Sequence, residues 1–545
     1  MSACHGACHA LVLVGMGLAC EAALKTHAHA GVPARACHTL TNERGVSAGN
    51  YWSPVVWPGI LAVCALDRDQ RHCPLPTPSM PSVASHRRVV ITGLGVVSPL
   101  GSTLAEVWAA LAEGRSGVAP LVNLPPLAGR VAYGGECRQF TGEIDDFGEL
   151  EKDVKKSIRK ALKMMCRESM MAVAAAQHAL ADAGLSSAGG EGAGIAPERT
   201  GVVFGSDYML SPPEDFIGGM RASGVGADGF KYEKWGGAGL KDMNPLWMLS
   251  YLPNMPASHI AIFNDLRGPN NSLTMREASG LLAIREAVQT IERGHADRML
   301  AGATGTRIHS FKTVHAAQTE QLADPGLPPA EACRPFDANR TGMVVGEGAA
   351  AMVLEELGAA RARGATIYGE VVGTGSSAVA DANLNGRRGA ALANAARMAL
   401  AGASAQPANG ANPQLATGDS RGRAEVESLG HVSAHAMGTT DGDAEEAAAL
   451  VETLGQRAGE APVVAAKSYF GNLGAASGVV ETMASLLALG EGRLFATLNY
   501  ATPDAACGGL NVVEGALPQA AAGESFLKLS VTPQGQAAAL VVRRL

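Results

Sequence analysis

Apolar runs that end in a glycine turn and continue as a helix of small residues occur twice along the chain. In GPNNSLTMREASGLLAIREA (residues 268–287), the pattern predicts a short strand at residues 272–275 and a helix that begins at Glu277. That helix packs through three apolar side chains, Leu281, Leu282 and Ile284. VVAAKSYFGNLGAASGVVE (residues 463–481) again reads as a strand, a glycine turn and a helix, and it repeats the tripeptide Ala-Ser-Gly. The two segments therefore indicate a duplicated α/β unit.

Two further strand-like segments fit the same duplication. RVVITGLGVVS (residues 88–98) resembles YGEVVGTGSS (residues 368–377), and DRMLAGAT (residues 297–304) is matched to the terminal AALVVRRL (residues 538–545). We therefore expect two similar α/β halves.

The position of Glu277 at a strand-to-helix junction is chemically informative. The first backbone N–H groups of a helix have no partner within the helix, so this end attracts negative charge. A nucleophile or a bound anion commonly lies at such a junction. Here the position holds a carboxylate.

Several ordered blocks resemble the β-ketoacyl-acyl carrier protein synthases, which are condensing enzymes of the thiolase-like fold. The opening strand and turn, RRVVITGLGVVSPLG (residues 87–101), and the most specific block, CRPFDANRTGMVVGEGAAAMVLEEL (residues 333–357), both match the family. AHAMGTTDGDAEE (residues 434–446) and KSYFGNLGAASG (residues 467–478) resemble its two histidine-bearing motifs. The resemblance implies an α/β, thiolase-like duplicated fold, with two similar halves in a layered αβαβα sandwich. Each half is then expected to be a mixed five-stranded sheet, with the two glycine-turn helices buried between the sheets.

The resemblance also sets the expected domain limits. We expect a ketosynthase N-terminal half at residues 86–350 and a C-terminal half at residues 351–545. A surface insertion rich in Ala, Pro, Asn and Gly falls at about residues 403–423. Residues 1–79 hold six cysteines and show no alternation or heptad pattern. We interpret them as a disordered extension, which could be upstream sequence translated from a misplaced start before Met80.

Composition excludes several function classes. A chain of 545 residues with 47% hydrophobic content can bury a large core, and a net charge of −7 argues against nucleic-acid binding. No apolar stretch reaches the length that spans a bilayer. Scattered cysteines after residue 86 suggest reduced thiols and a cytoplasmic protein. We expect no cofactor and no metal site.

The expected site departs from the family at the positions that carry its chemistry. The resemblance places Glu277 at the position of the nucleophilic cysteine, His435 at the first histidine and Asn472 at the second histidine. Lys467 and Glu481 match the supporting lysine and glutamate. The turn after the first histidine is altered at residues 436–440. In the late glycine-phenylalanine loop, now residues 532–535, Pro533 has no N–H to donate.

A structural role is an alternative at each of these positions. Glu277 could complement the helix dipole, which is worth roughly 0.3–1 kcal/mol. His435 could be a buried, hydrogen-bonded histidine, and Lys467 with Glu481 could form a structural ion pair. Asn472 has an amide that can hydrogen-bond a thioester oxygen but cannot carry a proton.

Three functional hypotheses follow from the resemblance. The chain could be a non-condensing partner subunit that shapes an acyl tunnel, like the chain-length factors of polyketide systems. It could instead be an acyltransferase-family enzyme with altered chemistry, such as malonyl-thioester decarboxylation or an unusual condensation, or a fold-only binding or scaffold protein. The implied partners are an acyl carrier protein and a second subunit, as a homodimer or as a heterodimer with a ketosynthase. We expect the subunits to meet near Leu273 and Thr274.

Overall fold

The computed structural model describes residues 87–124, 130–185, 196–405, 426–515, 519–520 and 524–545. The extension expected at residues 1–79 and most of the insertion expected at residues 403–423 lie outside these residues.

The strands are β1 (Val89–Val97), β2 (Val118–Pro120), β3 (Tyr133–Gly135), β4 (Thr200–Ser206), β5 (Asn270–Leu273), β6 (Arg298–Thr306), β7 (Glu347–Glu356), β8 (Gly369–Ala378), β9 (His431–Ser433), β10 (Pro462–Val464), β11 (Arg493–Leu494), β12 (Asn511–Val512), β13 (Gln519–Ala520), β14 (Ser525–Val531) and β15 (Gln536–Arg543).

The helices are α1 (Leu104–Glu113), α2 (Lys152–Ala161), α3 (Arg167–Asp182), α4 (Glu214–Ala222), α5 (Tyr232–Trp235), α6 (Trp247–Ser250), α7 (Met255–Phe263), α8 (Ser279–Glu292), α9 (Ser310–Thr319), α10 (Leu357–Ala362), α11 (Arg388–Ala405), α12 (Thr440–Leu454), α13 (Lys467–Phe470) and α14 (Ser477–Glu491).

The main sheet has eleven strands in the order β12-β10-β9-β14-β15-β8-β1-β7-β6-β4-β5. Among the main-sheet strands, with β12 left out, the third, second, fourth, fifth and first strands of each half along the chain lie side by side in that order. In both halves, the first two pairs of neighbouring strands in that order are parallel, and the other two pairs are antiparallel. A repeat of both order and direction confirms the duplicated, thiolase-like α/β fold.

Three details of the sheet differ from the sequence-based prediction. The second half has a sixth strand, β12, and a short antiparallel pairing of β1 with β8 joins the two halves. Topology matches β6 with β14 and β7 with β15, so the predicted match of residues 297–304 with the terminal segment 538–545 is wrong. These strands are buried on both faces, and their continuous apolar pattern does not distinguish one from another.

The topology also bears on the boundary between the halves. All of β7 belongs to the first half, whereas the boundary expected at residues 350 and 351 lies inside that strand. We therefore propose that the second half begins after β7.

Helices α8 and α14 lie at the centre of the molecule and contact each other. A Cβ on Gly280 would lie 2.6 Å from Cγ2 of Val479, and a Cβ on Gly478 would lie 3.0 Å from Cγ of Leu281. The two glycines therefore permit the close approach of these helices. Both helices are preceded by a short 3₁₀ turn, Arg276–Ala278 and Gly474–Ala476 respectively.

The strand before α8 also differs from prediction. It is β5, Asn270–Leu273, and not residues 272–275. The chain leaves the sheet after Leu273, because Arg276 has a left-handed φ of 48° and the N–H of Met275 donates to Oγ of Ser279. Glu277 consequently lies in the 3₁₀ turn just before α8.

Candidate active site

Glu277 is fully buried and forms a pair with a buried arginine. Nη2 of Arg307, just after β6, donates to Oε1 of Glu277, and both side chains are inaccessible to solvent. Nδ2 of Asn472 lies 3.1 Å from the same oxygen. Burial raises the pKa of Glu277, but Arg307, Arg276 and the Asn472 amide together lower it to about 2. The carboxylate is therefore ionised and held by its neighbours.

The pair belongs to a larger group of charges, which we call the Glu277 cluster: Glu277, Arg276, Arg307, Asp207 and Glu320. Nη2 of Arg276 donates to Oε1 of Glu320 at 2.6 Å, and its Nε lies 3.5 Å from Oε2 of Glu277. Arg307 is also 3.6 Å from Oδ2 of Asp207 and 3.8 Å from Oε1 of Glu320. Two guanidinium groups thus face three carboxylates.

The sequence analysis did not identify the other members of the Glu277 cluster. The available signal was Arg307, a single charge directly after the apolar strand β6. A buried carboxylate needs a cationic or hydrogen-bonding partner, and this arginine is thirty positions away. Its proximity to Glu277 follows only from the order of the strands.

Asn472 uses its amide within the protein. The carbonyl Oδ1 accepts from the N–H of Gly474, two residues further on, at 3.0 Å and from Oγ of Ser477 at 3.2 Å. Nδ2 lies near Glu277 and 2.9 Å from Sδ of Met343. The polar atoms of the Asn472 side chain therefore all have partners inside the fold.

The other three predicted residues form a second group, built on α13, α14 and the loop after β9. Nζ of Lys467 donates to Oε1 of Glu481 at 2.6 Å and to the backbone oxygen of His435 at 2.7 Å. A further buried lysine, Lys528 on β14, pairs with Oε2 of Glu481. Burial lowers the pKa of Lys528 to about 8, although Glu481 acts in the opposite direction. The predicted Lys467–Glu481 proximity is present, and Lys528 is an addition that the sequence analysis missed.

His435 is neutral and has a defined tautomer. Its pKa is well below the ordinary value because the ring is buried and because Lys467, Lys528 and Arg388 are nearby. Nζ of Lys467 lies 3.3 Å from Nδ1. An ammonium group can only donate, so Nδ1 holds a lone pair and the ring proton is on Nε2.

Two carboxylates in the first turns of α12 hold the loop that carries His435. Glu446 accepts from the backbone N–H groups of His435 at 2.6 Å and Ala436 at 2.7 Å, and Asp443 accepts from Gly438 at 2.9 Å. Ala436 has a left-handed φ of 47°. These bonds fix the altered turn at residues 436–440 in its conformation.

A cavity of about 170 Å³ lies beside His435. Its polar lining includes Glu320, Arg388 and Thr439, and Pro533 forms part of its wall. Glu277 and Asn472 are buried and are not among the residues that line this cavity.

Two further classes of site were searched for over the described ranges, from residue 87 to 545 with their gaps. There, no group of three or more His, Cys, Asp or Glu side chains could hold a metal ion. No helix in the same residues is long and apolar enough to cross a membrane.

Comparisons with known proteins agree with the fold. Residues 86–360 match the model of the beta-ketoacyl synthase N-terminal domain, and residues 414–501 match that of the C-terminal domain. The "3-oxoacyl-[acyl-carrier-protein] synthase 2" of Synechocystis sp. is 31% identical over 425 residues, which cover 77% of this chain and 90% of that protein.

Two solved structures are similar over most of the chain. A beta-ketoacyl synthase from Burkholderia phymatum STM815 has a TM-score of 0.68 and 29% identity, covering 84% of this chain and 100% of that one. The ishigamide ketosynthase/chain length factor has a TM-score of 0.67 and 26% identity, covering 85% and 100%. With the matched domains and the repeated sheet order, these findings show that the chain belongs to the beta-ketoacyl synthase family.

Proposed function

We propose that this chain is a non-condensing partner subunit that shapes the acyl tunnel of a cysteine-bearing ketosynthase in fatty acid or polyketide biosynthesis. The observation that carries the proposal is the state of Glu277, which is buried, ionised and bound to Arg307 at the position of the nucleophile. Its partners would be the ketosynthase and an acyl carrier protein that bears the acyl or malonyl thioester.

The chemistry of Glu277 supports this proposal. A carboxylate that attacked a thioester would form a reactive anhydride, which is uphill, whereas the family's cysteine is a thiolate nucleophile. Oε1 of Glu277 also accepts hydrogen bonds from Nη2 of Arg307 and Nδ2 of Asn472. Acylation at residue 277 would therefore require breaking a buried ion pair as well as forming a high-energy product.

The same contacts weigh against the decarboxylase hypothesis. Stabilising an enolate oxygen needs donors aimed at that oxygen. Nε2–H of His435 could serve as one donor, but the Asn472 amide points to Glu277 and Met343. A single donor is a weak basis for decarboxylation at useful rates.

The surface around β5 supports a subunit role over a simple scaffold role. β5 is the last strand of the sheet order, so one of its edges has no neighbouring strand among the residues that the structure describes. Large apolar side chains nearby in sequence are exposed, among them Met248, Leu252, Ile262 and Met275. An open strand edge beside exposed apolar side chains is typical of a subunit interface, and the ishigamide relative is a ketosynthase/chain length factor.

Mass spectrometry of the intact protein tests the proposal. The protein is incubated with acyl- and malonyl-carrier protein, alone and together with a cysteine-bearing homologue. We expect no acyl adduct on this chain alone and no loss of carbon dioxide. With the homologue, we expect a complex in which this chain changes the length of the acyl product. A stable adduct at residue 277, or condensation by this chain alone at ordinary rates, would refute the proposal.

The variant Glu277→Cys provides a second test. A thiol at this position would lie beside Arg307 and Arg276 at the start of α8, which favours the thiolate and its acylation. Condensation should stay slow, because a missing electrostatic donor costs about 10²–10³ in rate. We expect Asn472→His in the same protein to raise the condensation rate. Full activity of the single variant would show that the remaining site is intact.

A further inference from the structure

Several buried polar atoms of the Glu277 cluster have no hydrogen-bond partner among the described protein atoms. They are Oδ2 of Asp207, Nε of Arg276, Oε2 of Glu277, and Nε and Nη1 of Arg307. An unsatisfied buried polar group is costly, and a charged one more so. Atoms of this kind are usually satisfied by water or by a small polar ligand. Four of these five atoms instead have an opposite charge at 3.5–3.8 Å, so the cluster is held partly by long ion pairs and not by close hydrogen bonds alone.

The contacts indicate a route from solvent to the Glu277 cluster. Glu320 is a member of the cluster that also lines the cavity beside His435. On its inner side, Glu320 is bound to Arg276 and lies 3.8 Å from Arg307. The Arg276–Glu320 pair thus separates the cavity from Glu277.

This outer pair is also the more easily broken one. The side chains of Arg276 and Glu320 are 17% and 10% exposed, whereas those of Glu277, Arg307 and Asp207 are fully buried. Ion pairs that reach solvent are weak and are screened by salt, while removing one partner of a buried pair is strongly unfavourable. Thermal fluctuations will therefore separate Arg276 from Glu320 well before they separate Glu277 from Arg307.

We propose that the Arg276–Glu320 pair is a gate between the cavity beside His435 and the buried carboxylate of Glu277. When closed, the gate shields Glu277. When Glu320 or the long Arg276 side chain moves, water and small polar molecules reach the carboxylate through the cavity. This inference concerns access to residue 277 and does not depend on whether the chain condenses acyl groups.

Thiol labelling measures the gate directly. The test uses the full chain carrying Glu277→Cys, in which Arg307 keeps Asp207 and Glu320 as partners. The rate at which iodoacetamide labels position 277 is followed by peptide mass spectrometry. Adding Glu320→Gln should raise that rate by about fivefold, as expected for the loss of an ion pair of this exposure. Raising the salt concentration from about 0.05 M to about 1 M should also increase the labelling rate.

Two controls separate gating from general loosening. Glu331→Gln removes a glutamate from the exposed Arg334–Glu331 pair, which does not touch the cluster, and should leave the labelling rate unchanged. The native thiol of Cys333 is buried, and its labelling should not respond to Glu320→Gln. Unchanged labelling at position 277, or an equal rise at Cys333, would overturn the proposal.

Amide hydrogen exchange gives an independent measurement without any change at residue 277. Peptides that cover residues 276–280 should exchange faster in Glu320→Gln than in the unaltered protein or in Glu331→Gln. If the variant used for thiol labelling does not fold, the hydrogen-exchange comparison alone tests the gate. Equal exchange in all three proteins would refute the gate.

Discussion

Glu277 shows how the role of one residue depends on a partner that is distant in sequence. A carboxylate near an exposed helix start gains a few tenths to one kcal/mol from the dipole. Glu277 is instead fully buried against Arg307, where the electrostatic terms are much larger. In such a pair, desolvation offsets most of the attraction, and the large cost appears when one partner is removed.

A double-mutant comparison tests this interdependence. Glu277→Ala should lower the free energy of unfolding by about 3–5 kcal/mol, because the buried Arg307 guanidinium loses its hydrogen-bonded carboxylate and keeps only the longer contacts to Asp207 and Glu320. Glu277→Ala with Arg307→Ala should be less destabilised than the sum of the two single variants. Denaturant unfolding of the four proteins measures the coupling. Glu331→Ala, in an exposed pair, is the control and should cost at most about 1 kcal/mol. Additive effects would show that the two charges do not stabilise each other.

Sequence reasoning named some members of the two buried groups and missed others for a definable reason. It named Glu277, His435, Asn472, Lys467 and Glu481 because the resemblance assigns each of them to a family position. Arg307 and Lys528 lie outside any block that carries a known role, and each acts only through a tertiary contact. A buried charge indicates that a partner of opposite charge exists, but only the packing of the strands determines which residue that partner is.

At the scale of single elements, close helix packing was predictable and strand identity was not. The tripeptide Ala-Ser-Gly correctly indicated the two small-residue helices, since small side chains are what permit α8 and α14 to approach. The doubly buried strands gave no such signal, because their runs of Val, Ala and Gly have no alternation to align. The predicted match of β6 with β15 between the two halves was wrong for this reason. The sheet order instead matches β6 with β14.

The packing of α8 on α14 predicts different costs for two glycine substitutions. Gly280→Ala should destabilise the protein by about 1–3 kcal/mol, because its Cβ would meet Cγ2 of Val479 at 2.6 Å and the backbone oxygen of Ala475 at 2.9 Å. Gly490→Ala, in α14 itself, meets nothing within 4 Å and should stabilise by about 0.5–1 kcal/mol. Thermal unfolding compares the two. A tolerated Gly280→Ala would contradict the close crossing of the helices.

The start of α12 predicts a pH dependence of stability. Burial raises the pKa of Glu446 from 4.5 to about 7, although the N–H groups of Ala436 and His435 act in the opposite direction. Between these values, the unfolded chain has lost the proton that the folded chain keeps, so the Glu446 contribution to stability decreases as pH rises from about 4.5 to about 7. The free energy of unfolding of the unaltered protein minus that of Glu446→Gln should therefore fall over this range. Glu452→Gln, on an exposed part of the same helix, is the control, and a difference that rises with pH would be the wrong sign.

At the scale of the whole molecule, the duplication explains why Glu277 and Asn472 lie together. Each half contributes one turn and one helix, and the Glu277 and Asn472 turns meet because the halves are related by the same strand order. A fold assembled in this way can hold charges between its halves, provided that those charges are paired. Here Glu277 is paired with Arg307, and Glu481 is paired with both Lys467 and Lys528.

The surface near β5 provides the last prediction. If this chain is a subunit of a dimer, the exposed apolar side chains of Met248 and Ile262 lie at or near the contact, and both are 58% exposed or more in the single chain. Met248→Lys with Ile262→Lys should weaken association without unfolding, since burying two uncompensated ammonium groups is unfavourable. Sedimentation, alone and with a cysteine-bearing homologue, measures the assembly. Met398→Lys, an exposed position on α11 in the other half, should leave association unchanged. A monomer in both experiments would remove the basis for a partner-subunit role, because a subunit that pairs with nothing cannot shape the tunnel of another.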